Sequence, residues 1–329
     1  MTDAATPLPP GVRLRAAIAA DLPVCATIWR DAINDYIVRL NQPEVPSGLG
    51  PIGRLHAHLL ATDPGRFWVA VRDPGPEEGG DRVVAFGAAT RRETVWFLSM
   101  LFVRPEEQGS GLGTALLRHL LAVDRGAAVR STATDTLQPI SNALYATHGM
   151  VPRMPLLGLV GVPERPEAFG DLPSGITVQS FDELAGGRPR PADSSGHGEL
   201  TGAVNALDTA TVGFIHPEDH RFLRLEGRRG FLFRGPDGRP VGYGYASESG
   251  RLGPVASLDP ALVPAMLGHV VRSVPARGAY ASWVPGLADR AVVALLEAGF
   301  RLDGFPMLVC WSRPFAAFDR YLPISPGLL

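Results

Sequence analysis

The sequence predicts two tandem α/β domains of the α+β type, each a sheet flanked by helices. Three observations carry this. The 329 residues suit two domains of roughly 150 residues each. Strand-like and helix-like patterns alternate along the chain. The second half also repeats the first: "RVVAFGAA" at 82–89 corresponds to "RPVGYGYA" at 239–246, and "NALYATHGMVPRMPLLGLV" at 142–160 to "VALLEAGFRLDGFPMLVC" at 293–310. An offset of this size far exceeds a solenoid unit of about 20–50 residues, so a domain is duplicated. The boundaries read as a flexible N-terminus at 1–11, a first domain at 12–160, a Pro-rich linker at 161–174 and a second domain at 175–329.

The elements follow in order. A short strand at 12–15 leads to Asp21, a good helix N-cap, and a helix with Val24, Ile28 and Ile33 on its apolar face. Residues 41–53 are rich in Pro and Gly and read as a loop. "FWVAVRD" at 67–73 reads as a strand, and "PGPEEGG" at 74–80 as an exposed turn. "RVVAFGAATRR" and "VWFLSMLFV" form two antiparallel strands joined at "RETV". A Gly-rich turn then opens a helix at 111–123, where Leu112, Ala115, Leu116, Leu120 and Val123 keep the helical period. A strand at 128–135, a helix at 139–150 stopped by Gly149, and an apolar strand at 154–162 complete the first half. The second half opens with the strand "ITVQSF" and carries a polar, flexible insertion at 186–199. Its apolar tail, "FDRYLPISPGLL" with Phe318, Tyr321 and Leu322, reads as docked on a surface.

Composition excludes several classes. The chain is 45% hydrophobic and 19% charged, so it folds. A net charge of −2 gives no field toward nucleic acid or an anionic membrane. All 31 basic residues are Arg, so neither a Walker-type phosphate loop nor a Schiff-base Lys is available. Cys25 and Cys310, the two cysteines, sit in apolar surroundings and suit a reducing cytosol. "MTDAATPLPP" has no secretory character, and no apolar run is long enough to cross a membrane. The expected setting is cytoplasmic.

The stretch "QGSGLGTALL" at 108–117 carries the most chemistry. A turn into a helix presents backbone N–H groups without internal partners, and the helix dipole adds positive charge. Glycines at 109, 111 and 113 allow close approach of an anion and positive φ. The G-x-G-x-G spacing departs from the dinucleotide fingerprint at Thr114, and the preceding strand sits in an antiparallel meander. "LFVRPEEQGSGLGTALLRHLL" instead resembles the signature of the GNAT superfamily of CoA-dependent N-acyltransferases, Q/R-x-x-G-x-G/A after an apolar strand, filled here by Gln108, Gly111 and Gly113. "ALYATHGM" resembles the later helix of that family. The resemblance covers about residues 12–160.

The resemblance implies a central, mostly antiparallel sheet whose strands at 96–103 and 128–133 splay apart. It implies acetyl-CoA as co-substrate and no metal. Backbone of Leu101, Phe102 and Val103 would bind the pantetheine arm like an added strand. N–H groups of Gln108, Gly109, Ser110, Gly111, Leu112, Gly113 and Thr114 would take the pyrophosphate. An amine would attack the acetyl carbonyl directly, with a backbone N–H near Phe102 polarising the oxygen and Tyr145 protonating the leaving thiolate. The alternative for Tyr145 is a core aromatic. No general base stands out: Glu93, Asp135 and a water held by Ser99 are candidates, and a water chain without a side-chain base serves equally. Asp31, Asp35 and Glu44 would draw a cationic small-molecule amine, or form a solvated helix face. A protein or peptide amine and a longer acyl donor stay open, as does a non-catalytic acyl-CoA-binding regulatory module.

His119 and His148 read as surface histidines. His216 and His220, four apart in "FIHPEDHRF", suggest a metal pair, but Pro217 argues against a regular helix and no third ligand is evident, so a polar loop is expected. Where the first half has its glycine turn the second reads "VASLDPALVPAMLGHVV", with Pro264 where free N–H groups are needed and Leu295 in place of Tyr145. The second half is therefore expected to be a degenerate copy that keeps the fold, walls the pocket or forms a homodimer contact. Nucleic-acid and membrane partners are not expected.

Overall fold

A computed structural model describes residues 8–73, 82–186 and 198–329. The turn expected at 74–80 and most of the insertion expected at 186–199 lie outside the described residues. The chain divides into two compact units, residues 1–128 and 129–329.

The first unit is an antiparallel meander with three helices. Strand β1 (Val12–Ala16) is followed by helices α1 (Leu22–Ile37) and α2 (Gly50–Thr62). Strands β2 (Phe67–Arg72), β3 (Arg82–Arg92) and β4 (Val95–Val103) then lead into helix α3 (Leu112–Val123). The strands pair in sequence order, each antiparallel to the next. Asp21 precedes α1, but its carboxylate accepts from the Ile18 N–H and from Arg15 rather than capping that helix. Leu112 and Leu116 of α3 pack with Val84 and Ala85 of β3 and Ala70 of β2. The loop expected at 41–53 ends early, because Gly50 already begins α2. Its Pro51 stands in the first turn, where a missing N–H costs nothing, and Leu59 and His56 bury the helix.

The second unit holds β5 (Val129–Asp135), α4 (Pro139–Thr147), β6 (Val151–Gly161), β7 (Thr177–Ser180) and the short α5 (Phe181–Leu184). Helices α6 (Glu199–Thr211) and α7 (Pro217–Leu225) precede strands β8 (Arg229–Arg234), β9 (Pro240–Ala246) and β10 (Leu252–Ser257). Then come α8 (Val263–Ser273), β11 (Tyr280–Pro285), α9 (Asp289–Glu297), β12 (Arg301–Leu302), β13 (Met307–Trp311) and β14 (Tyr321–Leu322). One sheet runs β14-β10-β9-β8-β7. A second run of strands is β5-β13-β6-β11, with β12 also on β6.

That order exchanges strands between the two repeats. Strand β13, from the second repeat, lies between β5 and β6 of the first, and pairs antiparallel with both. Strand β6 reaches on to β11 of the second repeat, from Leu156↔Pro285 to Gly161↔Tyr280. The change of unit at 128/129 therefore precedes the repeat boundary expected near 161–174. That segment forms a single-turn helix whose Phe169 is buried among Leu267, Val271 and Phe300. The tail docks as expected: β14 pairs with β10, and Phe318, Leu328 and Leu329 are buried.

Candidate active site

The glycine turn is built for an anion. Gly109 and Gly111 have φ of 76° and 87°, the left-handed region that glycine enters at little cost. A Cβ on either would touch nothing within 4 Å, so the conformation, not space, demands glycine. Helix α3 begins with no side-chain cap at Gly111. Its first backbone bond runs from the Ala115 N–H to the Gly111 carbonyl at 3.0 Å. The N–H groups of 109 to 114 thus take no backbone partner among the described residues. Gln108, Gly109, Ser110 and Gly111 are exposed and Gly113 and Thr114 half-buried, while Leu112 anchors the turn in the core.

The acidic residues before the turn do not oppose an anion. Glu107 takes Arg72 bidentately, with Nε at 2.9 Å from Oε1, and Glu106 takes Arg82 at 2.6 Å. The Arg72 hydrogen bond, outweighing partial burial, holds the Glu107 carboxyl below its usual range. Ser110 Oγ donates to the Glu107 carbonyl and Gln108 Nε2 to the Val103 carbonyl at 3.2 Å, which fixes the turn to the end of β4.

Strand β4 carries a feature that the sequence reading missed. Its register with β3 slips between Ala88↔Met100 and Ala89↔Leu98, so Ser99 is an extra residue and β4 bulges there. Beyond the bulge Leu101, Phe102 and Val103 face Gly87, Phe86 and Ala85 across the strands. Phe102 stacks on Phe86, centroids 5.7 Å apart. No local residue pattern signals such a bulge.

Glu93 stands apart from the glycine turn. It sits exposed at the β3–β4 turn with φ of 46°, and its carbonyl accepts from Arg91. Eight residues at about 3.3 Å each put it ~26 Å from Leu101, at the opposite end of β4. The Asp135 carboxylate accepts from the Leu137 N–H at 2.9 Å and its carbonyl from Asn142.

Tyr145, in the second unit, is 5% exposed. Burial pushes its phenol well up, the nearby Cys310 adds to this, and a hydrogen bond with Ser141 pulls the other way. It stays protonated across any working pH, as an acid or as a core phenol. His119 is not a free surface group; its ring meets Trp68 edge-on at 4.0 Å, and burial lowers its pKa. His148 is half-buried with Nδ1 2.8 Å from the Leu144 carbonyl.

A cavity of about 670 Å³ opens in the first unit between α1 and the segment after it. Asp31, Asn34, Asp35 and Glu44 line it together with Arg30 and Arg39. Arg30 pairs with Asp31 at 2.8 Å and Arg39 with Asp35 at 2.6 Å, which leaves an excess of one carboxylate. The Val45 N–H donates to Asn34 Oδ1 and pins the wall to α1.

The second repeat closes the equivalent features with its own atoms. Pro260 and Pro105 each open a single-turn helix after a strand, which sets the correspondence. Asp259 Oδ1 there accepts from the Ala261 N–H at 2.8 Å, a side-chain cap the first repeat lacks. Strand β14 pairs with Val255 and Ala256 of β10, at the positions of Met100 and Leu101 in the first repeat. Leu295, in the place of Tyr145, is fully buried.

The segment 214–222 also departs from expectation. His216 precedes α7, and Pro217 opens it in the first turn, where proline is tolerated. His216 and His220 are buried, and Asp208 of α6 lies with them. Asp208 Oδ2 is 3.0 Å from His220 Nε2 and 3.4 Å from His216 Nε2. A third candidate ligand therefore exists, and the polar loop is a buried helix.

Residues 29–150 match the model of the acetyltransferase (GNAT) family. No curated protein matches the chain in sequence. Among solved structures, it is similar to a proposed acetyltransferase from Pyrococcus horikoshii (16% identity, 98% of each chain, TM-score 0.72). It is also similar to a GCN5-related N-acetyltransferase from Sphaerobacter thermophilus (18%, 94% of this chain and 98% of that one, TM-score 0.59). A tandem GNAT protein from the clavulanic acid biosynthesis pathway aligns at 16% identity over 92% and 99% of the two chains, with a TM-score of 0.51.

Proposed function

We propose, from the match of residues 29–150 to the acetyltransferase (GNAT) family model, an N-acetyltransferase that moves the acetyl group of acetyl-CoA to a primary amine of a small molecule. The observation that carries this reading is the row of unpartnered N–H groups at 109–114, opening a helix with two left-handed glycines and no side-chain cap. Pyrophosphate oxygens accept from these groups, and the backbone of Leu101, Phe102 and Val103 takes the pantetheine amides.

The amine nitrogen attacks the acetyl carbonyl. The N–C bond forms, the C–S bond breaks, and the proton leaving nitrogen passes to water. The family resemblance gives Tyr145 the proton donation to the departing thiolate, and its buried, un-ionised phenol supports that role. The acceptor amine fits the cavity beside α1, where three carboxylates face two guanidiniums and favour a cation. Its volume falls in the range of small-molecule pockets, about 300–1,000 Å³, which supports a small amine over a peptide.

The second repeat, in this reading, holds no CoA. Positions 264–269 stand where the first repeat has 109–114, and Pro264 there offers no N–H to a phosphate, while β14 occupies the strand edge a pantetheine needs.

The test is thiol release on a panel of small amines, with acetyl-CoA and longer acyl-CoAs compared, alongside calorimetric titration with CoA. Turnover with one CoA bound per chain is expected. Tight CoA binding with no turnover on any amine makes the protein a regulatory acyl-CoA-binding module and overturns the enzyme reading.

A further inference from the structure

We propose that Asp208, His216 and His220 form a structural binding site for one divalent transition-metal ion of the zinc class. His216 immediately precedes α7 and His220 lies in its first turns, and their ring centroids are 4.5 Å apart. Asp208 projects from α6. All three are closed off from solvent, at 0%, 0% and 7% exposure.

The donor geometry suits a tetrahedral ion. Ligands about 2.0–2.1 Å from such an ion stand ~3.3 Å apart. Here both Nε2 atoms converge on Asp208 Oδ2, at 3.0 and 3.4 Å. The three ligand atoms lie within 4.8 Å of one another.

The surrounding groups orient the ligands as metal sites require. His220 Nδ1 is 2.8 Å from the Tyr245 hydroxyl. His216 Nδ1 is 3.4 Å from Asp219 Oδ2. The Tyr243 hydroxyl donates to Asp208 Oδ1 at 2.7 Å, leaving Oδ2 for the ion. Each ligand is thus held from behind, with its other donor atom turned inward.

Two further atoms point to a bound cation. The His216 ring nitrogens face the Asp208 and Asp219 carboxylates at 3.4 Å without hydrogen-bond alignment, and the buried Tyr321 hydroxyl makes no hydrogen bond among the described residues. Unpartnered polar atoms in a closed interior are costly. An ion satisfies His216 Nε2 directly. The charges of Asp208 and Asp219 help push the buried Tyr321 phenol up. The ion would join α6 to the start of α7. Among its described residues the first repeat carries no such cluster.

The experiment uses the tag-free full chain, freed of metal by refolding with chelator. Metal content after refolding with Zn²⁺ is measured by mass spectrometry, and Co²⁺ is bound in its place as a spectroscopic probe. One ion per chain, the visible bands of tetrahedral Co²⁺, and a rise in Tm of about 5–10 °C at hundredfold excess of Zn²⁺ over Kd are expected. H216Q and H220Q should lose the stoichiometric ion while the chain stays folded. If the glutamine variants fail to fold, the wild-type Co²⁺ spectrum and stoichiometry decide alone. Metal-free wild-type protein without a Co²⁺ spectrum or Tm shift, or full metal retention in a folded H216Q chain, overturns the proposal and leaves a hydrogen-bonded His–Asp network.

Discussion

Replacing Gly111 by alanine isolates the turn's conformation from its packing. The φ of 87° lies where an L-residue costs about 1–2 kcal/mol. No atom lies within 4 Å of the added Cβ, so no clash contributes. The turn either bears that strain or relaxes to negative φ and swings its N–H groups away. Stability should then fall by about 1–2 kcal/mol, read from a shifted denaturant midpoint at unchanged slope. CoA affinity should fall further, since each lost hydrogen bond to a charged phosphate is worth about 1.5–3 kcal/mol. Loss of even one raises Kd by about tenfold to 150-fold. Gly126→Ala, at an open position without positive φ, serves as the control and should change neither quantity. The assay is calorimetric titration with CoA beside urea unfolding. A Gly111→Ala protein with the expected loss of stability but a Kd within twofold of wild type would refute the phosphate cradle.

Three further outcomes are expected. Tyr145→Phe should lower turnover by about 10²-fold or more with CoA affinity unchanged; unchanged turnover makes Tyr145 a core aromatic. The Glu107 carboxyl is depressed by Arg72, so its contribution to stability is present above the ordinary glutamate pKa of about 4.3 and is lost as pH falls through its lower folded value. Acid unfolding curves of Glu107→Gln should be flatter than wild type below that pH, and parallel curves count against the pairing. Ending the chain at residue 304 removes β13 and β14, so β5 and β6 both lose their shared neighbour; the truncated chain should aggregate or lose protection from hydrogen exchange at 129–161, and a monomer with native protection there would contradict the exchange.

What the sequence disclosed depended on whether the signal was local. The glycine turn at 108–114 was legible because spacing, φ and helix start all lie within seven residues. Most strands and helices were legible by period. Helix α2 was not, because Gly48, Gly50, Pro51 and Gly53 mimic a loop while only the first turn of the helix tolerates them. The same misjudgement hid α7, where Pro217 opens the helix instead of interrupting it. Asp208 escaped notice because a ligand eight residues before His216, on another helix, leaves no short motif. Its one trace was a carboxylate beside Leu207 and before Thr211, on the buried face of α6.

The strand exchange explains why a repeat that shows no phosphate cradle is still needed. A gene duplication normally yields two sheets, each closed by its own last strand. Here the last long strand of each repeat has crossed, β13 to a place between β5 and β6, and β6 to the edge of β11. The backbone groups of β5 and β6 that face β13 have no substitute partner, and exposed strand edges are prone to wrong pairing. Selection on the first repeat's chemistry therefore also maintains the second repeat's fold, while placing no demand on its glycine turn. Once β14 filled the strand edge, the second copy gained pairing at backbone groups where a pantetheine would have bound. Loss of binding and gain of structural duty are then one change, made at the same backbone groups.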